Sequence, residues 1–139
     1  MENVEDYLRL NGKYFKEAEA LMGKGDYVQA SEKFWGAAAE IVKALAAKKG
    51  MVVKSHGELF SFVSGLKDEL GDPELPRLFS LASALHQNFY EDWLPPATVR
   101  DHGEAVKEFV ECFVSEAHKK REEGINNSIA FEPKRSYID

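Results

Sequence analysis

Apolar residues recur every three or four positions along most of this chain, which is the spacing of one face of an α-helix. The widest apolar arc falls in residues 26–50, where it takes up roughly half of the helix circumference. Its members are Tyr27, Val28, Ala30, Ser31, Phe34, Trp35, Ala37, Ala38, Ile41, Val42, Leu45 and Ala46. A helix that needs cover over so much of its surface belongs at the centre of a bundle, in contact with at least two neighbours. We expect Trp35, at the edge of the arc, to be buried against the first and fourth helices.

Glycines, prolines and capping residues divide the chain into five predicted helices, over about residues 3–22, 26–50, 55–70, 73–93 and 98–123. Side chains that can cap a helix start precede four of them: Asp26, Ser55 with Glu58, Asp72 before Pro73, and Thr98 with Asp101. The connections are short, so the pattern predicts an all-α fold, an antiparallel up-and-down bundle.

Residues 1–123 are predicted to form a single helical domain. Residues 124–139 have no helical period and are predicted to form an extended tail. Four apolar side chains of the tail are available to pack on the body or on a partner chain: Ile125, Ile129, Phe131 and Tyr137.

Composition indicates a globular protein with a buried core, since 44% of the 139 residues are hydrophobic and 30% are charged. The net charge of −6 argues against a broad surface for nucleic-acid backbones, and nothing in the sequence is specific for DNA. A single cysteine, Cys112, excludes an intrachain disulfide and suits a reducing cytosol. The charged N-terminus is unlike a signal peptide and no apolar run approaches a membrane span. We therefore expect a cytoplasmic protein without membrane contact.

Several polar side chains are predicted to gather at one end of the bundle, because helices three and five start where helix four finishes. His56, Tyr90, Arg100 and His102 fall at this end, and His86 lies about two turns away. Lys48, Lys49 and Lys54 are expected there too. Lysines and free helix N–H groups favour an anion such as phosphate, and histidine can act as a general acid or base. The candidate ligand-binding residues are Lys54, His56, His86, Asn88 and Tyr90, and the candidate catalytic residues are His86, Arg100 and His102.

A second interpretation of these residues is structural. A histidine on an apolar arc is often a hydrogen-bonded core residue, and lysines near a helix C-terminus are explained by the helix dipole. Nearby carboxylates oppose anion binding: Glu58, Glu91, Asp92, Asp101 and Glu104. The chain has no cysteine pair, no HExxH and no glycine-rich phosphate loop, so no metal and no cofactor is predicted.

Two segments resemble those of a known family. The stretch GDYVQASEKFWGAAAEIVKALA, residues 25–46, and the stretch ALHQNFYEDWL, residues 84–94, are similar to signature segments of archaeal PaREP-type proteins. These proteins in turn look like members of the HEPN-like group, which is named for nucleotide binding. The resemblance implies an all-helical fold, frequent dimerisation and a connection to nucleotides or RNA.

Ribonucleases of the HEPN-like group carry an arginine followed, after four to six residues, by a histidine, and this chain departs from that pattern. Eight residues separate Arg77 from His86, and one separates Arg100 from His102. We therefore predict a helical protein that binds a nucleotide, RNA or a protein partner without catalysis. A divergent metal-independent ribonuclease using His86 or His102 with Arg100 is the alternative, and a purely structural dimer is the third.

A homodimer is also expected, partly from the resemblance. The second reason is that helices four and five carry more large apolar side chains than one narrow seam requires: Phe79, Phe89, Trp93, Phe109 and Phe113.

Overall fold

The computed structural model describes residues 3–122, with side chains through residue 113. Five helices follow one another in this part of the chain: α1 Val4–Gly23, α2 Tyr27–Lys48, α3 His56–Leu70, α4 Glu74–Glu91 and α5 Pro96–Glu122. The predicted all-α helical bundle is confirmed. Within the same residues, no helix combines the length and the apolar character that crossing a membrane requires. The predicted tail lies outside the described residues.

Helix α2 is the centre of the bundle, as its wide apolar arc predicted. It packs against each of the other four helices. The side chains of Ile41 and Val42 have no exposed surface, and Trp35 is 7% exposed. Burial of Trp35 and its contact with α4 are confirmed, and α3, which the expectation did not include, covers the ring as well. Because α2 contacts all four other helices, it determines where each of them places its side chains.

Helix α1 packs antiparallel to α2. Near the middle of α1, the amide of Asn11 is buried and donates to the carbonyl oxygen of Ala37 at 2.8 Å. Closer to its C-terminus, Glu17 pairs with Lys33 at 2.9 Å. Residue numbers increase along α1 while those of the contacted residues decrease along α2, so the first two helices are antiparallel, as predicted.

Most of the predicted caps are present. The Asp26 side chain accepts from the backbone N–H of Gln29 at 3.2 Å. Ser55 and Glu58 form a reciprocal capping box. Oγ of Ser55 accepts the N–H of Glu58 at 3.1 Å, and Oε1 of Glu58 accepts the N–H of Ser55 at 3.0 Å. Both partners of each cap lie within one turn, so local chemistry is enough to start α2 and α3 at these residues.

Helix α3 runs in the same direction as α2, because the linker between them returns along α2. At the start of α3, the ring of His56 stacks on Trp35, with centroids 4.8 Å apart. Near its end, Glu69 pairs with Lys49 at 2.6 Å. Thirteen positions separate His56 from Glu69, about 20 Å at the rise of an α-helix. The expectation that Lys48 and Lys49 lie at the same end as His56 is therefore wrong.

Two helix ends differ from the prediction. Helix α4 stops at Glu91, and Trp93 is 60% exposed instead of continuing the buried arc. Helix α5 begins at Pro96, and the Thr98 N–H bonds to the carbonyl of Pro95, so Thr98 lies inside the first turn and does not cap it. Proline is well suited to a first helical position, because the N–H it lacks would have no partner there.

The inner face of α5 is apolar as far as its side chains are described. Its buried residues are Val99, Gly103, Ala105, Val106, Phe109, Val110 and Phe113. Gly103 lies so close to Phe34 that a β-carbon there would be 2.8 Å from the ring. This close approach holds the start of α5 against α2.

Candidate functional site

Four rings from three helices meet beside the middle of α2. We call Trp35, His56, His86 and Tyr90 the ring cluster. The His56 ring lies 4.8 Å from Trp35 and 5.1 Å from His86, measured between centroids. His86 lies 5.5 Å from Trp35, and Tyr90 meets His86 edge-on at 5.3 Å. These separations are typical of interacting aromatic pairs.

The ring cluster extends from the core to the surface. Trp35 is 7% exposed, the side chain of His86 is 27% exposed and Tyr90 is 70% exposed. His56 is also exposed. The three outer rings are thus held in place by a buried indole and still present surface to solvent. A histidine sealed by aliphatic side chains could not bind a ligand. His86 instead contacts three rings and a carboxylate.

A carboxylate from α2 completes the cluster. Oε1 of Glu32 lies 2.8 Å from Nδ1 of His86, and the Glu32 side chain is 33% exposed. A carboxylate only accepts hydrogen bonds, so Nδ1 of His86 is the donor. In the neutral ring, Nε2 then carries the lone pair and can accept a proton or a hydrogen bond. Sequence analysis missed Glu32, because nothing local links it to a histidine 54 positions away.

Asn88 is placed next to the ring cluster but is bonded within the protein. Its side chain is 1% exposed. The amide nitrogen donates to Oγ of Ser31 at 3.0 Å, and the amide oxygen accepts the N–H groups of Trp93 and Leu94 at 2.8 Å each. This network closes the C-terminus of α4 and positions the turn after Tyr90. The structure thus gives Asn88 a positioning role.

The other candidate residues fall outside the ring cluster. Among the described side chains, neither Arg100 nor His102 takes part in a ring contact or hydrogen bond with its members. Arg100 is exposed and His102 is half-buried on α5, next to the Gly103 contact with Phe34. Lys54 is exposed on the linker, two positions before His56.

The N-terminus of α3, expected to offer free N–H groups to an anion, has a carboxylate of its own beside it. Oε1 of Glu58 accepts the backbone N–H groups of Lys54 at 2.7 Å and Ser55 at 3.0 Å. These two bonds, Lys54 first, hold the pKa of Glu58 below its ordinary value. In the described part of the chain, no three side chains of histidine, cysteine, aspartate or glutamate are grouped to hold a metal ion.

The fold and this site define a small helical protein with a surface-open cluster of rings around a carboxylate–histidine pair. The sequence model of the Archaeal PaREP1/PaREP8 family matches residues 6–110, and the chain belongs to this family. The matched range includes every member of the ring cluster and Glu32. The resemblance found in residues 25–46 and 84–94 is confirmed.

Among solved structures that share the fold are two crystal structures. A crystal structure of a protein from Sulfolobus solfataricus is 31% identical, covers 76% of this chain and 94% of its own, and has a TM-score of 0.69. A crystal structure of a protein from Thermus thermophilus is 22% identical, covers 84% of this chain and 99% of its own, and has a TM-score of 0.66. The second likeness concerns the fold alone. No protein of curated function matches the chain.

Proposed function

We propose that this protein binds a nucleotide at the ring cluster, with the base stacked on the outer rings, and does not transform it. The observation that carries the proposal is the set of three contacting rings, His56, His86 and Tyr90, that open to solvent from a buried Trp35. Stacking of a base on an aromatic side chain contributes about 1–3 kcal/mol and tolerates any base. Such a surface suits a flat heterocycle better than an extended apolar ligand.

Polar atoms around the rings support the same proposal. Nε2 of the neutral His86 ring is an acceptor, and the Glu32 carboxylate, one-third exposed, has lone pairs beyond the one used by Nδ1. Bases carry N–H groups on their edges that such acceptors recognise. The nucleotide connection that the HEPN-like resemblance implies points to the same class of ligand.

Titration with adenosine and AMP tests the proposal. The NMR resonances of the His56 and His86 rings report the binding. We expect both histidines to shift, with quenching of Trp35 fluorescence. Since the chain has two tryptophans, the fluorescence is read in a Trp93→Phe background. His102→Ala is the matched control, because His102 lies on α5 apart from the cluster. Unchanged His56 and His86 resonances at millimolar adenosine and AMP would contradict nucleotide binding here.

A second candidate function is the divergent ribonuclease, which the Glu32–His86 bond favours. A histidine oriented by a carboxylate is a recurrent general base. The pair differs from the one expected, since Glu32 stands where Arg100 was expected as the partner of His86. RNA cleavage in the presence of a chelator tests this function. Cleavage lost in His86→Ala and Glu32→Gln but kept in His102→Ala would support it, and no cleavage by the wild-type protein would exclude it.

We also propose that two copies associate, but for a reason other than the expected one. Phe79, Phe109 and Phe113 are fully buried within one chain and leave no excess for a partner. Two neighbouring apolar side chains are exposed on the α2–α3 linker, Met51 at 47% and Val52 at 63%, while the exposed Trp93 and Tyr90 lie at the end of α4. Light scattering should give a mass near twice the 15.7 kDa of the monomer. A mass near 15.7 kDa at every concentration would contradict a dimer, and Met51→Ser with Val52→Ser should weaken one that forms.

A further inference from the structure

We propose that the site recognises a nucleotide by its base alone, and that phosphate groups weaken binding. The inference rests on the proposed function and names the chemical class of the ligand: a flat heterocycle with N–H donors, neutral or cationic, such as a nucleoside. It follows from the charges around the ring cluster, which sequence analysis had expected to favour an anion.

One carboxylate contacts the outer rings and three others are close to them along the chain. Glu32 is bonded to His86 inside the cluster. Glu91 and Asp92 directly follow Tyr90, and both are exposed. Glu58 comes two positions after His56 and is also exposed. A phosphate joined to a stacked base would therefore enter a region of negative potential.

The lysine just before α3 has a carboxylate beside it. Lys54 lies on the linker next to Glu58, whose pKa is lowered first by the backbone N–H groups and further by the Lys54 charge. Glu58 thus offsets the charge of Lys54, which adds little attraction for a phosphate.

The helix ends next to the ring cluster do not favour a phosphate either. At the N-terminus of α3, Glu58 and Ser55 bond to each other's N–H groups in the capping box. At the C-terminus of α4, Asn88 binds the N–H groups of Trp93 and Leu94. A helix N-terminus attracts phosphate through unpaired N–H groups, and at α3 the Glu58 carboxylate stands beside this end and repels a phosphate.

The polar atoms of Glu32 and His86 that have no partner among the described residues are acceptors, so they bind hydrogen-bond donors on a ligand. Glu32 accepts only, and Nε2 of neutral His86 accepts as well. The exocyclic amine and ring N–H groups of a base, or a protonated ring nitrogen, supply such donors. The rings add stacking and favour a positive charge over their faces. Hydrogen bonds to the edge of the base and stacking on the protein's rings thus account for recognition without any contact to phosphate.

The experiment compares adenosine, AMP and ATP on the full chain by isothermal titration at low and at high salt. We expect adenosine to bind at least as tightly as AMP, and ATP to bind roughly tenfold more weakly at low salt. The difference should shrink at high salt because salt screens the repulsion. Glu91→Gln combined with Asp92→Asn changes only exposed side chains and should narrow the difference, while Glu111→Gln on α5 should not.

Two results would overturn the inference, and they are distinguishable. If ATP binds more tightly than adenosine and salt weakens it, phosphate is recognised: the inference fails and nucleotide binding stands. If none of the three ligands binds, the inference and the proposed function fail together. Weaker ATP binding that is insensitive to both salt and the surface carboxylates would also contradict the electrostatic cause.

Discussion

Oε1 of Glu32 lies 2.8 Å from Nδ1 of His86, and this bond joins α2 to α4 beside the aromatic rings. Both side chains are about one-third exposed, so solvent screens the pair and its contribution to stability is small. Its main effect is on orientation. The carboxylate fixes which nitrogen of His86 carries the proton and leaves Nε2 available to a ligand.

Trp35→Ala should lower the free energy of unfolding by about 3–5 kcal/mol, because a large buried ring leaves a cavity between α2, α3 and α4. Trp93 is 60% exposed, so Trp93→Ala is the matched control and should change the free energy by less than about 1 kcal/mol. Urea denaturation measures both. Equal effects of the two substitutions would contradict the placement of Trp35.

Caps and the central helix were predictable because the determinants lie close together in sequence. Ser55 and Glu58 are three positions apart, and their reciprocal bonds follow from any chain that turns helical there. The wide arc of α2 likewise depends on helical periodicity alone. The ring cluster was predicted in part. His56 and Tyr90 lie at the same end, as expected from helices that alternate in direction after α3, but His86, expected about two turns away, contacts both of them.

The rest of the site depends on packing that periodicity does not encode. The linker returns along α2 with Val53 buried, which moves Lys49 to the opposite end from His56. Glu32 stands at the edge of the α2 arc and acquires a role only once α4 lies beside it. Asn88 stands out in sequence as a polar residue on an apolar helix, a pattern shared by ligand contacts and buried caps.

Asn88→Ala should destabilise the protein by about 2–3 kcal/mol, because it removes a buried amide that satisfies the N–H groups of Trp93 and Leu94. Hydrogen exchange should accelerate at those two amides in particular. Gln87→Ala, at the exposed neighbouring position, is the control. If Asn88→Ala abolished nucleotide binding while exchange at both amides stayed slow, Asn88 would be a ligand contact and not a positioning residue.

Gly103→Ala should be destabilising by about 1–3 kcal/mol, because the added methyl group would meet the buried ring of Phe34 at 2.8 Å. Gly65 is also helical, but a β-carbon there would meet no atom within 4 Å, so Gly65→Ala should stabilise by about 0.5–1 kcal/mol. Thermal denaturation compares the two. Stabilisation by both substitutions would show that helix propensity, and not the close approach of α5 to α2, decides at Gly103.

The capping box of α3 makes stability depend on pH. The N–H groups of Lys54 and Ser55 hold the pKa of Glu58 below its ordinary value of 4.5. Its stabilisation is therefore complete above pH 4.5 and is lost as pH falls through the lower pKa of the folded state. Glu58→Gln should flatten this part of the curve of unfolding free energy against pH. An acid limb identical to that of the wild type would show that Glu58 contributes nothing to it.

Substitutions of His86 distinguish its role as a core residue from a role as a ligand contact. His86→Phe keeps a ring against Trp35 and His56, so the unfolding free energy should stay within about 1 kcal/mol of the wild type. His86→Ala removes the ring and should cost about 1–3 kcal/mol, less than a fully buried aromatic residue because His86 is partly exposed. Phenylalanine has neither the donor to Glu32 nor the acceptor at Nε2.

Adenosine binding should therefore fall at least tenfold in His86→Phe, even though that variant is as stable as the wild type. Isothermal titration measures the binding, and urea denaturation of the same samples measures the stability. His86→Gln adds a matched variant, since its amide can donate to Glu32 and should retain part of the binding without restoring the ring contacts. Full adenosine binding by His86→Phe would mean that the histidine serves the ring packing alone, because its nitrogen atoms would then contribute nothing to the ligand.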